Sequence, residues 1–361
     1  MKIHLIVGAR PNFMKAMPVY NELKSNCNDW DIKLVHTGQH YDYEMSKVFF
    51  EVLSLPEPDI FLDVRSGTHG EQTGKLIERI EKVLMEHKPE IVMVFGDVNS
   101  TLAGSIAAAK LGIKIAHIEA GLRSFDRTMP EEINRVVTDV LSDYLFVTEK
   151  SGIENLKREG IDERKIFFVG NTMIDTLYKI LPKCSEEDLK KFNLKKNDYI
   201  LVTLHRPSNV DDRDRLEEIM RILEEIGSKK PVIFPVHPRT KKMLKNFNIK
   251  TENILLINPL NYKDFLTLER YAFCVITDSG GIQEETTCLN VPCITLRPNT
   301  ERPITEEIGT NIVLRDRPIS DIIKMMDNIY EGRWKKGRIP DLWDGNAAKR
   351  IVEILKESFK F

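Results

Sequence analysis

The sequence lacks the long apolar runs and the leader pattern that place a protein in or across a membrane. No apolar run approaches the length of a bilayer span, which takes about 20 residues in a helix. The chain enters an apolar, strand-like segment at its first residues and shows no signal-peptide pattern. We therefore expect a cytoplasmic protein without a membrane partner.

Cysteines are few, and none of them is paired in a CxxC pattern. The five cysteines stand at positions 27, 184, 274, 288 and 293. Cys274 and Cys293 lie inside apolar segments, so we interpret them as small core residues in a reducing compartment. Because no pair has the spacing of zinc ligands, we expect no bound metal.

Acidic residues exceed basic residues only slightly. The formal net charge is −2, so we expect no broad basic surface for nucleic acid or for an anionic membrane. Hydrophobic residues make up 42% of the chain and charged residues 30%, which is typical of a globular protein. A chain of 361 residues is too long for a single hydrophobic core, so two domains are predicted.

Apolar segments alternate with helical segments along the whole chain, which predicts an α/β fold with parallel sheets. The elements predicted first are the strands 3–7, 32–36, 91–95, 114–118, 144–147 and 166–169 and the helices 42–52, 73–87, 99–111 and 171–181. Those predicted later are the strands 199–204, 232–236, 254–257, 272–277, 293–296 and 311–313 and the helices 321–330 and 346–359. A charged segment, 183–197, interrupts the alternation, so we predict one Rossmann-like domain at 1–182 and another at 183–361.

The stretch TDSGGIQEE at 277–285 predicts an anion-binding turn. A Gly-rich turn between a strand and a helix leaves backbone N–H groups and the positive end of the helix dipole available for a phosphate. Glu285, one turn into the helix, lies within reach of a hydroxyl on the molecule that carries the phosphate. An ordinary turn with Ser279 as the N-cap explains the same residues equally well.

Cations follow the first strand in place of a dinucleotide fingerprint. The turn after this strand, GARP at 8–11, lacks GxGxxG spacing. Arg10 and Lys15 follow the strand at the carboxyl-end edge of the sheet, where open α/β sheets bind ligands. Two cations there suit a diphosphate, although a solvent-exposed pair of charges is an equally simple interpretation.

Polar side chains gather where the predicted strands end. Asp97 and Glu119 each come directly after a strand of the first domain. Glu131 follows Pro130 at a helix start, a pattern that a first-turn acid also explains. The strand ends of the second domain carry His205-Arg206, His237-Pro238-Arg239, Arg297 and Glu301-Arg302. Carboxylates and a histidine at the carboxyl ends of strands predict a catalytic site.

Eight motifs, in order, closely resemble those of the non-hydrolysing UDP-N-acetylglucosamine 2-epimerases. They are GARPNFMK at 8–15, TGQH at 37–40, GDVNST at 96–101, HIEAGLRS at 117–124, PEEINR at 130–135, LHRPSN at 204–209, TDSGGIQEE at 277–285 and TERP at 300–303. The resemblance implies the GT-B fold, in which two Rossmann-like domains face each other across a cleft. It also implies that the C-terminal helix, within 346–361, crosses back to the first domain.

The resemblance implies the substrate and the groups that act on it. The family interconverts UDP-N-acetylglucosamine (UDP-GlcNAc) and UDP-N-acetylmannosamine (UDP-ManNAc), also binds UDP, and needs no cofactor. By resemblance the first domain faces the sugar, and Asp97, Glu119 and Glu131 match the family's acid/base carboxylates. His205 matches a fourth catalytic position. A homodimer is also expected.

By the same resemblance the second domain holds most of the UDP. The diphosphate is expected to contact Arg10, His205 and the turn 279–281, while Glu285 holds the ribose and Phe265 stacks near uracil. The residues expected to bind the substrate are Arg10, Lys15, Arg135, Arg206, Phe265, Ser279, Gly280, Gly281, Glu285 and Arg302.

The reaction that the resemblance names restricts the mechanism. Inversion at C2 requires loss of the C2 proton, which no neighbouring carbonyl activates. No NAD-binding fingerprint is present that would allow oxidation to create such a carbonyl. If UDP leaves C1 instead, the C2 proton becomes acidic, and 2-acetamidoglucal and UDP form. Protonation on the other face and re-addition of UDP then give the epimer. Such a site needs acid/base groups, groups that bind the diphosphate, and a way to retain both 2-acetamidoglucal and UDP. Spacing alone does not assign which carboxylate removes the proton.

Two segments depart from the family pattern. Bacterial members use a second UDP-GlcNAc molecule as an activator, in a pocket built partly from the segments after TGQH and around Glu71-Gln72. Tyr41, Asp42 and Glu71 stand here where those members carry amide or basic side chains. The resemblance therefore leaves open whether the substrate also activates this protein.

Three other functions use the same scaffold. A GT-B glycosyltransferase would need an acceptor groove and one base, and the carboxylates here exceed that need. A hydrolysing epimerase would release the free sugar. A nucleotide-sugar sensor would bind without turnover and would gain nothing from acid/base groups near C2.

Overall fold

The computed structural model describes residues 1–38 and 56–359, apart from the side chain of Arg10. The helix predicted at 42–52, together with Tyr41 and Asp42, lies outside the described residues. The chain divides into two compact units, Met1–Lys179 with Asp341–Phe361, and Ile180–Pro340. The division falls a few residues before the charged segment 183–197.

A parallel sheet forms the centre of the first unit. Its strands are β1 (Lys2–Val7), β2 (Asp31–His36), β3 (Ile60–Phe61), β4 (Ile91–Phe95), β5 (Lys114–Ala120), β6 (Tyr144–Val147) and β7 (Ile166–Phe168). They lie in the order β3-β2-β1-β4-β5-β6-β7. The helices of this part of the chain are α1 (Arg10–Asn26), α2 (His69–His87), α3 (Asn99–Lys110), α4 (Pro130–Leu141), α5 (Lys150–Arg158) and α6 (Thr172–Ile180).

The second unit repeats this plan with a smaller parallel sheet. Its strands are β8 (Ile200–Thr203), β9 (Val232–Pro235), β10 (Ile254–Ile257), β11 (Cys274–Thr277), β12 (Cys293–Thr295) and β13 (Asn311–Val313), in the order β10-β9-β8-β11-β12-β13. Its helices are α7 (Pro207–Val210), α8 (Arg213–Gly227), α9 (Pro238–Asn246), α10 (Tyr262–Tyr271), α11 (Gly280–Leu289), α12 (Pro303–Glu307) and α13 (Asp321–Tyr330). The last helix, α14 (Ala347–Ser358), belongs to the first unit and packs on α1.

Most strand residues are apolar because both faces of each sheet pack against a core. Side chains alternate across a strand, and in β8 Ile200 and Val202 enter one core while Leu201 enters the core on the opposite face. Buried parallel strands therefore appear as continuous apolar runs. Cys274 and Cys293 are fully buried in such strands, so their interpretation as core residues is confirmed.

The surface helices bury one apolar stripe each. In α2 the buried residues are Gln72, Leu76, Ile80 and Leu84, one turn apart, and the rest of the helix is largely charged. Within the described ranges, no helix is both long and apolar enough to cross a bilayer.

Each sheet has one point where the strand order reverses, between β1 and β4 in the first and between β8 and β11 in the second. At such a switch point the connecting helices leave on opposite faces and open a crevice at the carboxyl ends of the strands. The segments 8–11, 96–97, 204–206 and 278–281 follow these four strands directly. The fold therefore brings the predicted site motifs to the switch points.

A buried carboxylate of α6 holds the N-terminus of α14. Asp175 accepts hydrogen bonds from the backbone N–H groups of Ala347, at 3.1 Å, and Ala348, at 2.7 Å. It also faces the positive end of the helix dipole. Burial raises the pKa of Asp175 to about 6, because the two N–H bonds compensate only partly for the lost hydration.

The raised pKa of Asp175 makes its contribution to stability fall as the pH rises. An unfolded aspartate titrates at about pH 3.9, so protonation favours the folded state, and this contribution is lost as the pH rises through about 6. We expect the free energy of unfolding of the wild type, relative to that of Asp175→Asn, to fall by up to about 3 kcal/mol between about pH 4 and pH 7. Urea unfolding of both proteins across this range measures the difference. A difference that stays constant with pH would contradict the prediction.

Candidate active site

Glu119 lies inside a strand rather than after it. We predicted that the strand ends at Ile118, but β5 continues to Ala120, which pairs with Val147 of β6. The register shifts between Ile118 and Ala120, and Glu119 has a φ of 74°, in the left-handed region. The predicted strand end was wrong because this bulge lets pairing resume beyond it. A bulge also turns one side chain away from the regular pleat.

Glu119 and Lys15 form a buried ion pair. Nζ of Lys15, on α1, lies 2.6 Å from Oε1 of Glu119, and the side chains are 6% and 3% exposed. Lys15 is therefore not a solvent-exposed charge, because a cation buried this deeply needs a partner. At Gly96, directly after β4, a Cβ would lie 2.8 Å from Nζ of Lys15, and the φ is 62°. Glycine satisfies both constraints at this turn.

Asp97, next to Gly96, is held by the guanidinium of Arg135 on α4. Nη2 of Arg135 lies 2.6 Å from Oδ2 of Asp97, and Nη1 lies 2.7 Å from Oε2 of Glu132. Nδ2 of Asn134 donates to the carbonyl oxygen of Asp97 at 2.8 Å. Helix α4 therefore fixes both the backbone and the carboxylate of Asp97.

Glu131 is half-buried in the first turn of α4. Its neighbour Glu132 ties down the preceding loop by accepting from the backbone N–H groups of Ser124 and Phe125, each at 2.9 Å. Within residues 1–38 and 56–359, no hydrogen bond or ion pair engages the carboxylate of Glu131. At this helix start it is therefore Glu132, and not Glu131, that holds the preceding loop.

The turn after β1 is fixed by a side chain of α1. Oδ1 of Asn12 accepts from the backbone N–H groups of Gly8 and Ala9, both at 3.2 Å. Arg10 opens α1 between these residues, and its side chain lies outside the described part of the chain.

A buried carboxylate joins the ends of β8 and β11 in the second unit. Asp278 accepts from the backbone N–H groups of His205 and Arg206, at 3.0 and 2.9 Å, and from Nδ2 of Asn209 at 3.2 Å. Oδ1 of Asp278 also lies 2.8 Å from Nδ1 of His205. Burial alone would raise the pKa of Asp278, but its hydrogen bonds and the attraction of His205 lower it overall.

His205 and Arg206 form a polar pair at the end of β8. Since Nδ1 of His205 faces the Asp278 carboxylate, it carries a hydrogen, and Nε2 is the nitrogen left for a ligand. Nε of Arg206 is buried and has no hydrogen-bond partner among the described residues. Both side chains therefore retain groups that can bind an anion.

The Gly-rich turn opens α11 as predicted. Ser279 occupies the N-cap position, but its side chain makes no capping hydrogen bond. At Gly280 a Cβ would lie 2.7 Å from Nη1 of Arg302, and Nε of Arg302 lies 2.6 Å from Oε1 of Glu284. A guanidinium thus lies beside the positive end of a helix, an arrangement that favours an anion.

Glu285 lies one turn into α11 and is buried against α10. The hydroxyl of Tyr262 donates to Oε1 of Glu285 at 2.6 Å. Glu269 is also buried near Glu285, and burial, followed by the negative charge of Glu285, raises the pKa of Glu269 well above its usual range. We infer that Glu269 holds the proton of the pair and leaves Glu285 as an acceptor. Phe265 lies on α10, between Tyr262 and Glu269 in the sequence, and is half-buried against the core.

The structure thus gathers the predicted site residues into groups within each unit. The first unit brings together Lys15, Asp97, Glu119 and Arg135, with Glu131 on the same helix as Arg135. The second brings together His205 and Arg206 through Asp278, and Ser279, Gly280 and Gly281 lie beside Arg302. Glu285 and Phe265 lie further along, on α11 and α10.

The sequence analysis gave no role to Asp278, Glu132 or Tyr262. Asp278 directly follows a buried strand, as Asp97 does, and that pattern could have identified it. Glu71 lies in the first turn of α2, where it is exposed and paired with Lys75 at 2.6 Å.

Both sheets carry charged side chains at their switch points, and both are wholly parallel. This combination defines a class, the two-domain α/β proteins of the GT-B type. The predicted fold class is confirmed. Within that class, a family model described as UDP-N-acetylglucosamine 2-epimerase matches residues 22–356. The chain belongs to the UDP-N-acetylglucosamine 2-epimerase family, and the resemblance inferred from its motifs is confirmed.

The chain is similar to several family members over its full length. The UDP-N-acetylglucosamine 2-epimerase of Methanocaldococcus jannaschii is 47% identical, with 98% of this chain and 99% of the relative covered. The UDP-2,3-diacetamido-2,3-dideoxy-D-glucuronate 2-epimerase of Pseudomonas aeruginosa is 43% identical, with 98% and 99% covered. A solved structure, the M. jannaschii UDP-GlcNAc 2-epimerase in complex with UDP-GlcNAc and UDP, aligns with a TM-score of 0.91 at 47% identity and covers 99% of this chain and 100% of that chain.

Replacing Asp278 by Asn tests whether this carboxylate holds the ends of β8 and β11 together. An amide N–H₂ group would face donors that now bind a carboxylate, so we expect Asp278→Asn to lower the free energy of unfolding by about 3 kcal/mol or more. Asp211→Asn is the control, because Asp211 makes an exposed pair with Arg239 at 2.8 Å and should cost less than about 1 kcal/mol. Urea unfolding measures both, and equal effects would contradict the prediction.

Proposed function

We propose that the chain is a non-hydrolysing 2-epimerase that interconverts UDP-GlcNAc and UDP-ManNAc. The observation that carries the proposal is the position of Asp97 and Glu119, two carboxylates held by separate cations at the ends of the adjacent strands β4 and β5. Full-length similarity to relatives named as 2-epimerases supports the choice of substrate.

We assign the diphosphate to the second unit. His205 offers Nε2, Arg206 offers its guanidinium, and the N-terminus of α11 offers backbone N–H groups beside Arg302. Positive groups arranged in advance stabilise the charge that develops on a departing diphosphate. The acceptor Glu285 suits the ribose hydroxyls, since a carboxylate only accepts hydrogen bonds.

We assign the proton transfers to the carboxylates of the first unit. One carboxylate takes the C2 proton, the C–H electron pair forms the C1=C2 bond, and the C1–O pair leaves with UDP. The product at this stage is 2-acetamidoglucal with UDP. A proton then returns to the opposite face of C2 and UDP adds to C1, so the reaction is redox-neutral and needs no cofactor. Lys15 and Arg135 fix Glu119 and Asp97, whereas Glu131 has no such cation among the described residues.

Turnover in D₂O tests the elimination. A proton that leaves C2 for a carboxylate exchanges with solvent, so we expect deuterium at C2 of the epimer. NMR of the nucleotide sugars detects the label, and added NAD should change nothing. Epimer formed without deuterium would exclude the elimination route.

Glu131→Gln is the sharpest test of the carboxylates, because it breaks no ion pair within the described part of the chain. A group that acts on C2 should lose about 100-fold or more in kcat while the affinity for UDP stays unchanged. If Glu131 is only a first-turn acid, turnover stays normal and stability falls by a few tenths to about 1 kcal/mol.

Asp214→Asn is the matched control for Glu131→Gln, because Asp214 is an exposed first-turn acid of α8. Its loss should lower stability similarly and leave kcat unchanged. Wild-type turnover in Glu131→Gln would remove Glu131 from the catalytic set. Asp97→Asn and Glu119→Gln should also lose turnover, but each also breaks a buried ion pair, so their thermal stability must be measured alongside.

The same NMR assay distinguishes the other candidate functions. A hydrolysing epimerase would accumulate free N-acetylmannosamine and UDP, and a sensor would leave the substrate unchanged. The P. aeruginosa relative gives a second candidate substrate, UDP-2,3-diacetamido-2,3-dideoxy-D-glucuronate. Faster epimerisation of that sugar than of UDP-GlcNAc would reassign the substrate and leave the chemistry at C2 unchanged.

A further inference from the structure

Four titratable side chains lie behind the ends of β4 and β5, three of them buried, and the epimerisation chemistry uses none of them. They are His117 on β5, Arg123 after β5, Asp139 on α4 and Glu159 after α5. Nη2 of Arg123 lies 2.7 Å from Oδ2 of Asp139 and 2.6 Å from Oε2 of Glu159. The side chains of His117 and Asp139 have no exposed surface.

Both ring nitrogens of His117 face acceptors. Nδ1 lies 2.6 Å from Oδ1 of Asp139, and Nε2 lies 2.8 Å from the carbonyl oxygen of Gly96. A carbonyl oxygen has no hydrogen to donate, so Nε2 must carry one. A bare Nδ1 at 2.6 Å from a carboxylate would be repelled, so Nδ1 also carries one, provided that Asp139 is ionised.

Asp139 has the partners of an ionised carboxylate. Its Oδ2 accepts from the backbone N–H of Gly121 at 3.1 Å and lies against Arg123. Burial by itself would raise the pKa of Asp139, but the charge and hydrogen bonds of His117 and Arg123 lower it overall. With Glu159 included, an imidazolium at His117 would give the cluster two cations and two anions.

The contacts of this cluster reach the backbone on both sides of the proposed proton-transfer groups. His117 holds the carbonyl of Gly96, whose N–H donates to the carbonyl of Ile118 at 2.9 Å. Asp139 holds the N–H of Gly121, two residues beyond Glu119. The turn that carries Asp97 is therefore tied to the bulge that carries Glu119.

We propose that His117 is a positioning residue, held as an imidazolium, that fixes the spacing between Asp97 and Glu119. The proposal rests on the proposed function, in which these carboxylates serve one reaction. Its ring bonds only to Asp139 and Gly96 among the contacts described above, so His117 acts through other groups. Two other ion pairs lie near Gly96: the Lys15–Glu119 pair and the pair of the adjacent Asp97 with Arg135. A displacement of about 1 Å at such a site can cost about 100-fold in rate.

NMR of the full chain labelled with ¹⁵N-histidine tests the charge of the ring without reference to activity. We expect His117 to show a bonded hydrogen on both ring nitrogens at neutral pH. His4 and His36 are internal references, because burial lowers the pKa of each to about 4 and keeps it neutral there. Loss of the signal in His117→Gln assigns it to His117. Asp139→Asn keeps the ring but removes the carboxylate, so a change in the same signal in that variant gives a second assignment. A bare nitrogen on His117 would overturn the proposal.

Kinetics with UDP-GlcNAc test the positioning role. We expect His117→Gln to lower kcat by about 100-fold with little change in KM, because the substrate-binding groups of the second unit are untouched. His4→Gln is the control, since it also removes a buried ring from the same sheet and should keep kcat. A folded His117→Gln protein with wild-type kcat would overturn the positioning role. A wild type that epimerises neither UDP-GlcNAc nor UDP-2,3-diacetamido-2,3-dideoxy-D-glucuronate would instead refute the proposed function and the purpose of the spacing. NMR would still decide the charge of the ring.

Discussion

The pairing of buried charges is the constraint on which both switch points depend. A charged group that leaves water without a partner costs several kcal/mol, so the buried carboxylates at the switch points are placed by the groups that bind them. In the first unit Lys15 determines where Glu119 lies, at 2.6 Å. In the second, Asp278 determines how the ends of β8 and β11 meet, through His205 and Arg206. The charged side chains at the switch points are thus held by electrostatics rather than by apolar packing.

Charge pairing also determines where the chain needs a glycine or an unusual backbone conformation. Nζ of Lys15 occupies the space that a side chain at Gly96 would need, and Nη1 of Arg302 does the same at Gly280. At Glu119 the backbone takes a left-handed conformation that non-glycine residues seldom adopt. Sparsely populated conformations persist only where the surroundings fix them. Here the surroundings are the ion pair of Glu119 and the resumed pairing of β5.

The alternation of apolar and helical segments was enough to predict the α/β class and most strands, because strands buried on both faces have a composition that local sequence reveals. Helices such as α8 were not predicted, although Asp212 caps it and its buried residues recur at helical spacing. The bulge at Glu119 could not be predicted, since it depends on pairing with β6. The Lys15–Glu119 pair joins residues 104 positions apart, which no local pattern reports.

Residue type therefore identifies the candidates for a site. Their contacts then distinguish side chains already bound by other protein groups from side chains that keep a group unbound. Arg135 and Arg206 were both expected to bind the substrate. The guanidinium of Arg135 lies between Asp97 and Glu132, at 2.6 and 2.7 Å, so much of its donor capacity already serves the protein. Nε of Arg206, by contrast, is buried without a partner among the described residues, and a buried donor left unsatisfied carries a free-energy cost that an anionic ligand can relieve. Of the two arginines, Arg206 is the one with an unsatisfied buried donor among the described residues, and Arg135 is the one that holds the carboxylate of Asp97 in place.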